Sequence, residues 1–299
     1  MAVGVMFPGQ GAQRAGLGEV WRGDPAWSVV ERAEAALGRS LSDLLLDPDA
    51  PLDRTEDAQL AVLLTSLMAW EAVKAELSPV VAFAGHSLGQ VTALIAAGAL
   101  SFHDGVRLAA RRARHTQEAA EQQPGEMAAL LGASLDQAVQ ICEAAPGACW
   151  LANDNAPGQV VLAGTAEAVD AAVDRARAIG VRRATRLRVG GAFHTPLMHA
   201  AAEAFAHDVG TVTFSPTAVP VISNGDARPH TDPEGWPRRL VDHLVRPVRW
   251  RQSVEMLVAL GATELVEVGP GEILAGLARR IVPGVAVRGV ALPREEVRA

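Results

Sequence analysis

A five-residue turn, Gly85-His86-Ser87-Leu88-Gly89, constrains the fold of this chain more than any other feature. An apolar run, Val80-Val81-Ala82-Phe83-Ala84, leads into it, and a helix-like run from Leu88 to Ala97 leads out. Serine in G-x-S-x-G between a strand and a helix has the pattern of a nucleophile elbow. The glycines let the backbone turn sharply and hold the serine hydroxyl at the tip, with the next N–H facing the same space.

The rest of the chain supplies the sheet that such a turn needs. Strand-like and helix-like segments alternate, the pattern of an α/β fold with a mainly parallel sheet. Val3 to Phe7 reads as a buried strand, and Val219–Ile222 and Thr263–Val268 as further strands. Gln59 to Leu77 and His103 to Gln123 lack proline and read as long helices; Pro233–Val245, Ser253–Leu260 and Gly271–Ile281 read as shorter ones. Between them the order changes: strand Met127–Leu131, helix Ser134–Ala144, strands Cys149–Ala152 and Val160–Ala163, helix Ala166–Ile179, strand Ala184–Val189. β-α-β-β-α-β is the split βαβ order of ferredoxin-like domains. The chain is therefore expected to hold a large α/β domain built from residues 1–123 and 191–299, with a mainly parallel sheet like that of an α/β-hydrolase. A small ferredoxin-like domain, residues 124–190, is inserted in it.

Composition narrows the function. With 299 residues, 49% of them hydrophobic, the chain can bury a large core. A net charge of −7 argues against general nucleic-acid binding. No apolar run approaches the roughly 20 residues of a membrane span, and the first residues read as a core strand rather than a signal peptide. Two cysteines, Cys142 and Cys149, read as reduced thiols of a cytoplasmic protein, and no His, Cys and carboxylate cluster has metal-ligand spacing. No metal or resident cofactor is expected.

Serine needs a base to become a nucleophile. Of eight histidines, His194 stands out, in the glycine-started, proline-stopped loop Gly190-Gly191-Ala192-Phe193-His194-Thr195-Pro196 after a predicted strand. His86 adjoins Ser87, but neighbours on a tight elbow point apart. His103, His115, His199, His207 and His230 read as surface or capping residues. For an oxyanion, the elbow itself places the Leu88 N–H. The loop Pro8-Gly9-Gln10-Gly11 after the first strand offers a second donor at Gln10, and reads equally well as a plain turn.

Six blocks in order carry a resemblance. They are Phe7-Pro8-Gly9-Gln10-Gly11-Ala12-Gln13, the elbow, Asn155 to Gly164, Gly191-Ala192-Phe193-His194, Pro247-Val248-Arg249-Trp250 and Glu267-Val268-Gly269-Pro270-Gly271. Over essentially its whole length the chain resembles the malonyl-CoA:acyl carrier protein transacylases and the related acyltransferase domains of polyketide synthases. The resemblance implies a Ser87–His194 dyad, with Gln10 and Leu88 donating to the oxyanion and a backbone carbonyl at His243, where the family often has glutamine or asparagine, orienting the base. It also implies that Arg112, within Arg111-Arg112-Ala113-Arg114, binds the malonyl carboxylate through its planar fork. Read without the resemblance, that run is a solvated helix face. Phe193 is implied to narrow the acyl site toward malonyl, although Gly191 departs from the polyketide malonyl pattern, which has histidine there.

The implied substrates are malonyl-CoA and an acidic acyl carrier protein, in fatty acid or polyketide synthesis. Arg182, Arg183, Arg279 and Arg280 match the family's proposed carrier-docking positions and read equally as ordinary solvated arginines. A monomer is expected. Two rivals remain: a thioester hydrolase of the same fold that clears acyl groups to water, and a scaffold that has lost the chemistry. Intact Ser87, His194, Gln10 and Arg112 speak against the scaffold.

Overall fold

The computed structural model describes residues 1–77 and 79–293. Among the described residues ten strands form two sheets. They are β1 (Val3–Phe7), β2 (Val80–Gly85), β3 (Glu126–Leu131), β4 (Cys149–Ala156), β5 (Gln159–Gly164), β6 (Arg183–Arg186), β7 (Val221–Ile222), β8 (Pro229–His230), β9 (Glu264–Val268) and β10 (Ala286–Val290). The helices are α1 (Ser28–Leu37), α2 (Ser42–Leu46), α3 (Thr55–Val73), α4 (Gly89–Ala96), α5 (Phe102–Gln122), α6 (Leu135–Ala144), α7 (Ala166–Ala178), α8 (His199–Val209), α9 (Trp236–Leu244), α10 (Trp250–Ala259) and α11 (Ile273–Ile281).

The larger sheet runs β10-β9-β1-β2-β7-β8, parallel throughout except for the β7–β8 pair. β1 is wholly buried, as a central parallel strand covered on both faces must be. One core packs Phe7, Trp70 and Phe83 in edge-on and stacked contacts, and a second lies under α10 and α11. The smaller sheet runs β4-β5-β3-β6 and is antiparallel throughout, with its own apolar cluster against α6 and α7. Ser134 and Thr165 accept N–H bonds at the starts of these two helices, as their positions predict.

Sequence and structure differ at several ends. The helix expected from Gln59 to Leu77 starts a turn earlier, at Thr55, and closes at Val73. The strand expected over Ala184–Val189 is the shorter β6, because its continuation turns away toward the His194 loop. β10 is an additional edge strand. The segment before α10 meets the smaller sheet where Val248 pairs with β4: its N–H donates to the Ala152 carbonyl and its own carbonyl accepts from Asp154, both at 2.9 Å. Asp154, buried beside this bridge, holds the Arg251 guanidinium at 2.9 Å. Among the described residues no helix is long and apolar enough to cross a membrane, and no cluster of His, Cys, Asp and Glu could hold a metal ion.

Candidate active site

Close backbone approach builds the elbow. A Cβ on Gly85 would lie 1.8 Å from the Gly89 carbonyl oxygen, and one on Gly89 would lie 2.2 Å from that of Phe7. Gly9 serves the facing loop, where a Cβ would meet the His86 oxygen at 2.4 Å. Ser87 itself has φ 54°, a left-handed conformation that is rare outside glycine and costs about 1–3 kcal/mol. Asn224, after β7, offsets part of that strain. Its Oδ1 accepts the Ser87 N–H at 2.8 Å, its Nδ2 donates to the Gly85 carbonyl at 2.7 Å, and its own N–H donates to Gln90 Oε1.

His194 reaches the same point from the loop before α8, also with a positive φ of 62°. Its Nε2 lies 2.8 Å from Ser87 Oγ, and its Nδ1 lies 2.9 Å from the His243 carbonyl oxygen in the last turn of α9. A carbonyl can only accept, so the ring proton sits on Nδ1 and Nε2 is left as the acceptor for the serine proton. No carboxylate touches the ring among the described residues. Burial, with the Arg112 charge next, pushes the His194 pKa down to about 3, so the ring is neutral at pH 7. The His243 ring lies against that of His194, with centroids 4.6 Å apart, and is itself buried and held neutral.

Arg112 points inward from α5, while Arg111 pairs with Asp208 and Arg114 with Glu118 on the outer face. The guanidinium is 4% exposed; Nη1 donates to Gln59 Oε1 at 2.6 Å and Nη2 to Ser87 Oγ at 3.2 Å. Burial lowers its pKa to about 10, which leaves it charged at pH 7. No carboxylate pairs with it among the described residues. An unpaired buried cation is costly, so this one invites an anion next to Ser87.

A cavity of about 190 Å³ joins these groups, lined by Gln10, Leu88, Phe193 and Met198 as well as Ser87, His194 and Arg112. The N–H groups of Gln10 and Leu88 have no acceptor among the described residues. His86, expected to point away, also lines the cavity: its Nε2 donates to Asn155 Oδ1 on β4 at 2.9 Å, and its ring meets Trp250 edge-on. The sequence reading missed Asn224, Gln59, His86 and Asn155 as site residues.

Arg182, Arg183, Arg279 and Arg280 are exposed, and none of them lines the cavity. Arg280 donates to Gln159 at the start of β5, and Arg279 contacts Glu272 and the Val287 carbonyl. Arg182 packs close to Gly132, whose N–H donates to Gly158 in the β4–β5 turn at 2.7 Å, and Arg183 donates to Thr185. The β4–β5 turn and the start of β5 thus lie between Arg182 and Arg280.

Ser87 beside a neutral histidine oriented by a carbonyl, with a carboxylate-free cation at the same cavity, makes a candidate site for acyl transfer. The chain belongs to the acyl transferase domain family, whose model matches residues 5–282. It is 38% identical over 285 residues to the malonyl CoA-acyl carrier protein transacylase of Bacillus subtilis (strain 168), covering 93% of this chain and 90% of that one. The crystal structure of the malonyl-CoA:acyl carrier protein transacylase of Xanthomonas oryzae pv. oryzae superposes with a TM-score of 0.93 at 36% identity, over 99% of this chain and 96% of that chain. A malonyl-transacylase in complex with its type II PKS acyl-carrier protein superposes with a TM-score of 0.94 at 32% identity, over 100% and 99% of the two chains.

Proposed function

We propose that this acyltransferase moves a malonyl group from malonyl-CoA to the phosphopantetheine thiol of an acyl carrier protein, in fatty acid or polyketide synthesis. The observation that carries the reading is the buried, carboxylate-free Arg112 guanidinium 3.2 Å from Ser87 Oγ. His194 Nε2 takes the Ser87 proton as Oγ attacks the thioester carbonyl. The Gln10 and Leu88 N–H groups receive the oxyanion, and CoA leaves as its thiol after taking the proton from His194. The carrier thiol then gives its proton to His194 and attacks the serine ester, and Ser87 leaves protonated. The His243 carbonyl keeps the base in the required tautomer throughout. A thioester brings its own leaving group, so the scheme needs no metal or resident cofactor.

Phe193, at the cavity wall, narrows the space beside the substrate's α-carbon and favours malonyl over branched acyl units. Arg182, Arg183, Arg279 and Arg280 form the basic docking rim for the acidic carrier protein on an otherwise acidic chain. Residues 124–190 act as a small ferredoxin-like domain set into a larger hydrolase-like α/β domain of residues 1–123 and 191–299; residues 294–299 lie outside the described part. The strand order β4-β5-β3-β6 supports the ferredoxin-like description. A cytoplasmic monomer fits this reading, as do the two free thiols.

Transfer and hydrolysis separate at the second step. Isolated malonyl-enzyme mixed with holo carrier protein should lose its acyl group to the carrier much faster than to buffer alone. Equal loss to buffer would replace the transferase with the thioester hydrolase.

A further inference from the structure

Away from the active site, the two cysteines of the chain meet under the loop that joins α6 to β4. Cys142 lies in the last turn of α6 and Cys149 opens β4, with Sγ atoms 3.4 Å apart. Both are free thiols, 8% and 7% exposed, in the apolar cluster beneath the smaller sheet. The loop between α6 and β4, Ala145-Pro146-Gly147-Ala148, reverses the chain through Pro146 and through Gly147 at φ 84°.

Both ends of that loop are fixed by the backbone. The Ala145 N–H donates to the Cys142 carbonyl, and the Thr165 N–H donates to the Ala148 carbonyl at 3.0 Å. β5 presses on the same spot, where a Cβ on Gly164 would lie 2.9 Å from Cys149 Cα. The two sulfurs are therefore held in contact by main-chain structure, so closing a bond between them requires mainly side-chain rotation. A bond-forming pair held in contact reacts as if at very high local concentration.

We propose that Cys142 and Cys149 are a reversible dithiol–disulfide site, oxidised by hydroperoxides or low-molecular-weight disulfides, that cross-links α6 to the root of β4. The Cys149 S–H donates to the Cys142 sulfur at 3.4 Å, so the two sulfurs share one proton contact and either can supply the attacking thiolate. With a hydroperoxide, the sulfur of one cysteine attacks one peroxide oxygen, the O–O bond breaks, and that cysteine becomes a sulfenic acid as water or alcohol leaves. The sulfur of the other cysteine then attacks the sulfenic sulfur, gives up its proton and expels the sulfenic oxygen as water. Two thiols lose two electrons and two protons, and the peroxide is reduced. A low-molecular-weight disulfide reaches the same product through a mixed disulfide, releasing two thiols. The cross-link sits at one end of β4, and Asn153 and Asn155 at the other end line the active-site cavity.

The test treats the full-length reduced protein with graded hydrogen peroxide, and separately with glutathione buffers of rising oxidised fraction. Samples are acid-quenched and alkylated under denaturing conditions, then read by intact mass and peptide mapping. The expected product takes up no alkyl group, weighs two hydrogens less than the reduced protein, yields one peptide pair joined through positions 142 and 149, and returns to the dithiol with dithiothreitol. Cys142→Ser is expected to stop at a sulfenic acid on Cys149 that dimedone traps. Two alkylatable thiols at peroxide levels that already oxidise methionine would overturn the proposal. So would conversion to sulfinic acid without a cross-link.

Discussion

Asn224 and Ser87 are 137 residues apart in sequence, yet the Asn224 amide oxygen accepts the Ser87 N–H at 2.8 Å. The same amide donates to Gly85, so one side chain ties the start and the tip of the strained elbow to the segment after β7. Asn224→Ala would leave a buried carbonyl and an N–H unpaired, each costing about 1–3 kcal/mol. Urea unfolding should show a loss of about 2–6 kcal/mol, and the rate of Ser87 acylation should fall about ten- to a hundredfold. Wild-type acylation in the variant would mean that the elbow holds its shape unaided.

Arg112 should act on the choice of acyl group rather than on the chemistry of the serine. Its fork offers charge-assisted bonds worth roughly 1.5–3 kcal/mol each to a carboxylate and nothing comparable to an acetyl group. Arg112→Ala should lower kcat/KM for malonyl-CoA at least tenfold relative to acetyl-CoA. Arg112→Lys, which keeps the charge and loses the fork, should recover only part of the discrimination. An unchanged malonyl-to-acetyl ratio in Arg112→Ala would remove the carboxylate clamp from the account.

The acid limb of the rate profile follows from the same pair. His194 is held down to about 3 by burial first and by the Arg112 charge second, while the His243 carbonyl opposes both. The His86 ring on the elbow and the His243 ring on α9 also face it and are themselves held neutral. The base therefore stays unprotonated through the ordinary histidine range, and kcat/KM should be nearly flat from pH 7.5 down to about 5.5. Arg112→Gln removes a repelling charge, so its acid limb should move to higher pH. A wild-type limb near 6.5 would contradict the buried-base geometry.

Stability should fall with acid over the window those histidines define. His194 and His243 have folded pKa values below the ordinary 6.5, so the unfolded chain takes up protons first as pH drops, and stability is lost below 6.5. Glu267, buried and raised from 4.5 to about 7, acts in the opposite direction with a single proton. The histidines outnumber it, giving a net loss of up to about 1.4 kcal/mol per pH unit for each excess proton between pH 6.5 and 4.5. His243→Gln should flatten this slope and leave acylation within about threefold, because the group that orients His194 is main chain. A large rate loss in His243→Gln would show that the ring itself takes part.

The local patterns were readable in sequence because each rests on nearby residues: the elbow on its own glycines, α6 and α7 on Ser134 and Thr165 at their starts, and β1 on its unbroken apolar run. Arg112 was readable only through the family resemblance, since Arg111, Arg112 and Arg114 look alike until α3 supplies Gln59 on one side and α8 supplies Asp208 on the other. Asn224, Gln59 and Asn155 carry no local signature, because their partners lie 137, 53 and 69 residues away. β10 escaped notice because an edge strand alternating between exposed and half-buried residues, with Gly289 inside it, lacks the apolar run of a central strand.

Ser87, activated by His194, is expected to carry the acyl group. Intact-protein mass after brief exposure to malonyl-CoA, followed by peptide mapping of the adduct, checks this at the serine itself. One malonyl group is expected on Ser87 in the wild type, none in Ser87→Ala, and slow formation in His194→Ala. An adduct that persists in Ser87→Ala, or maps to another residue, would contradict it.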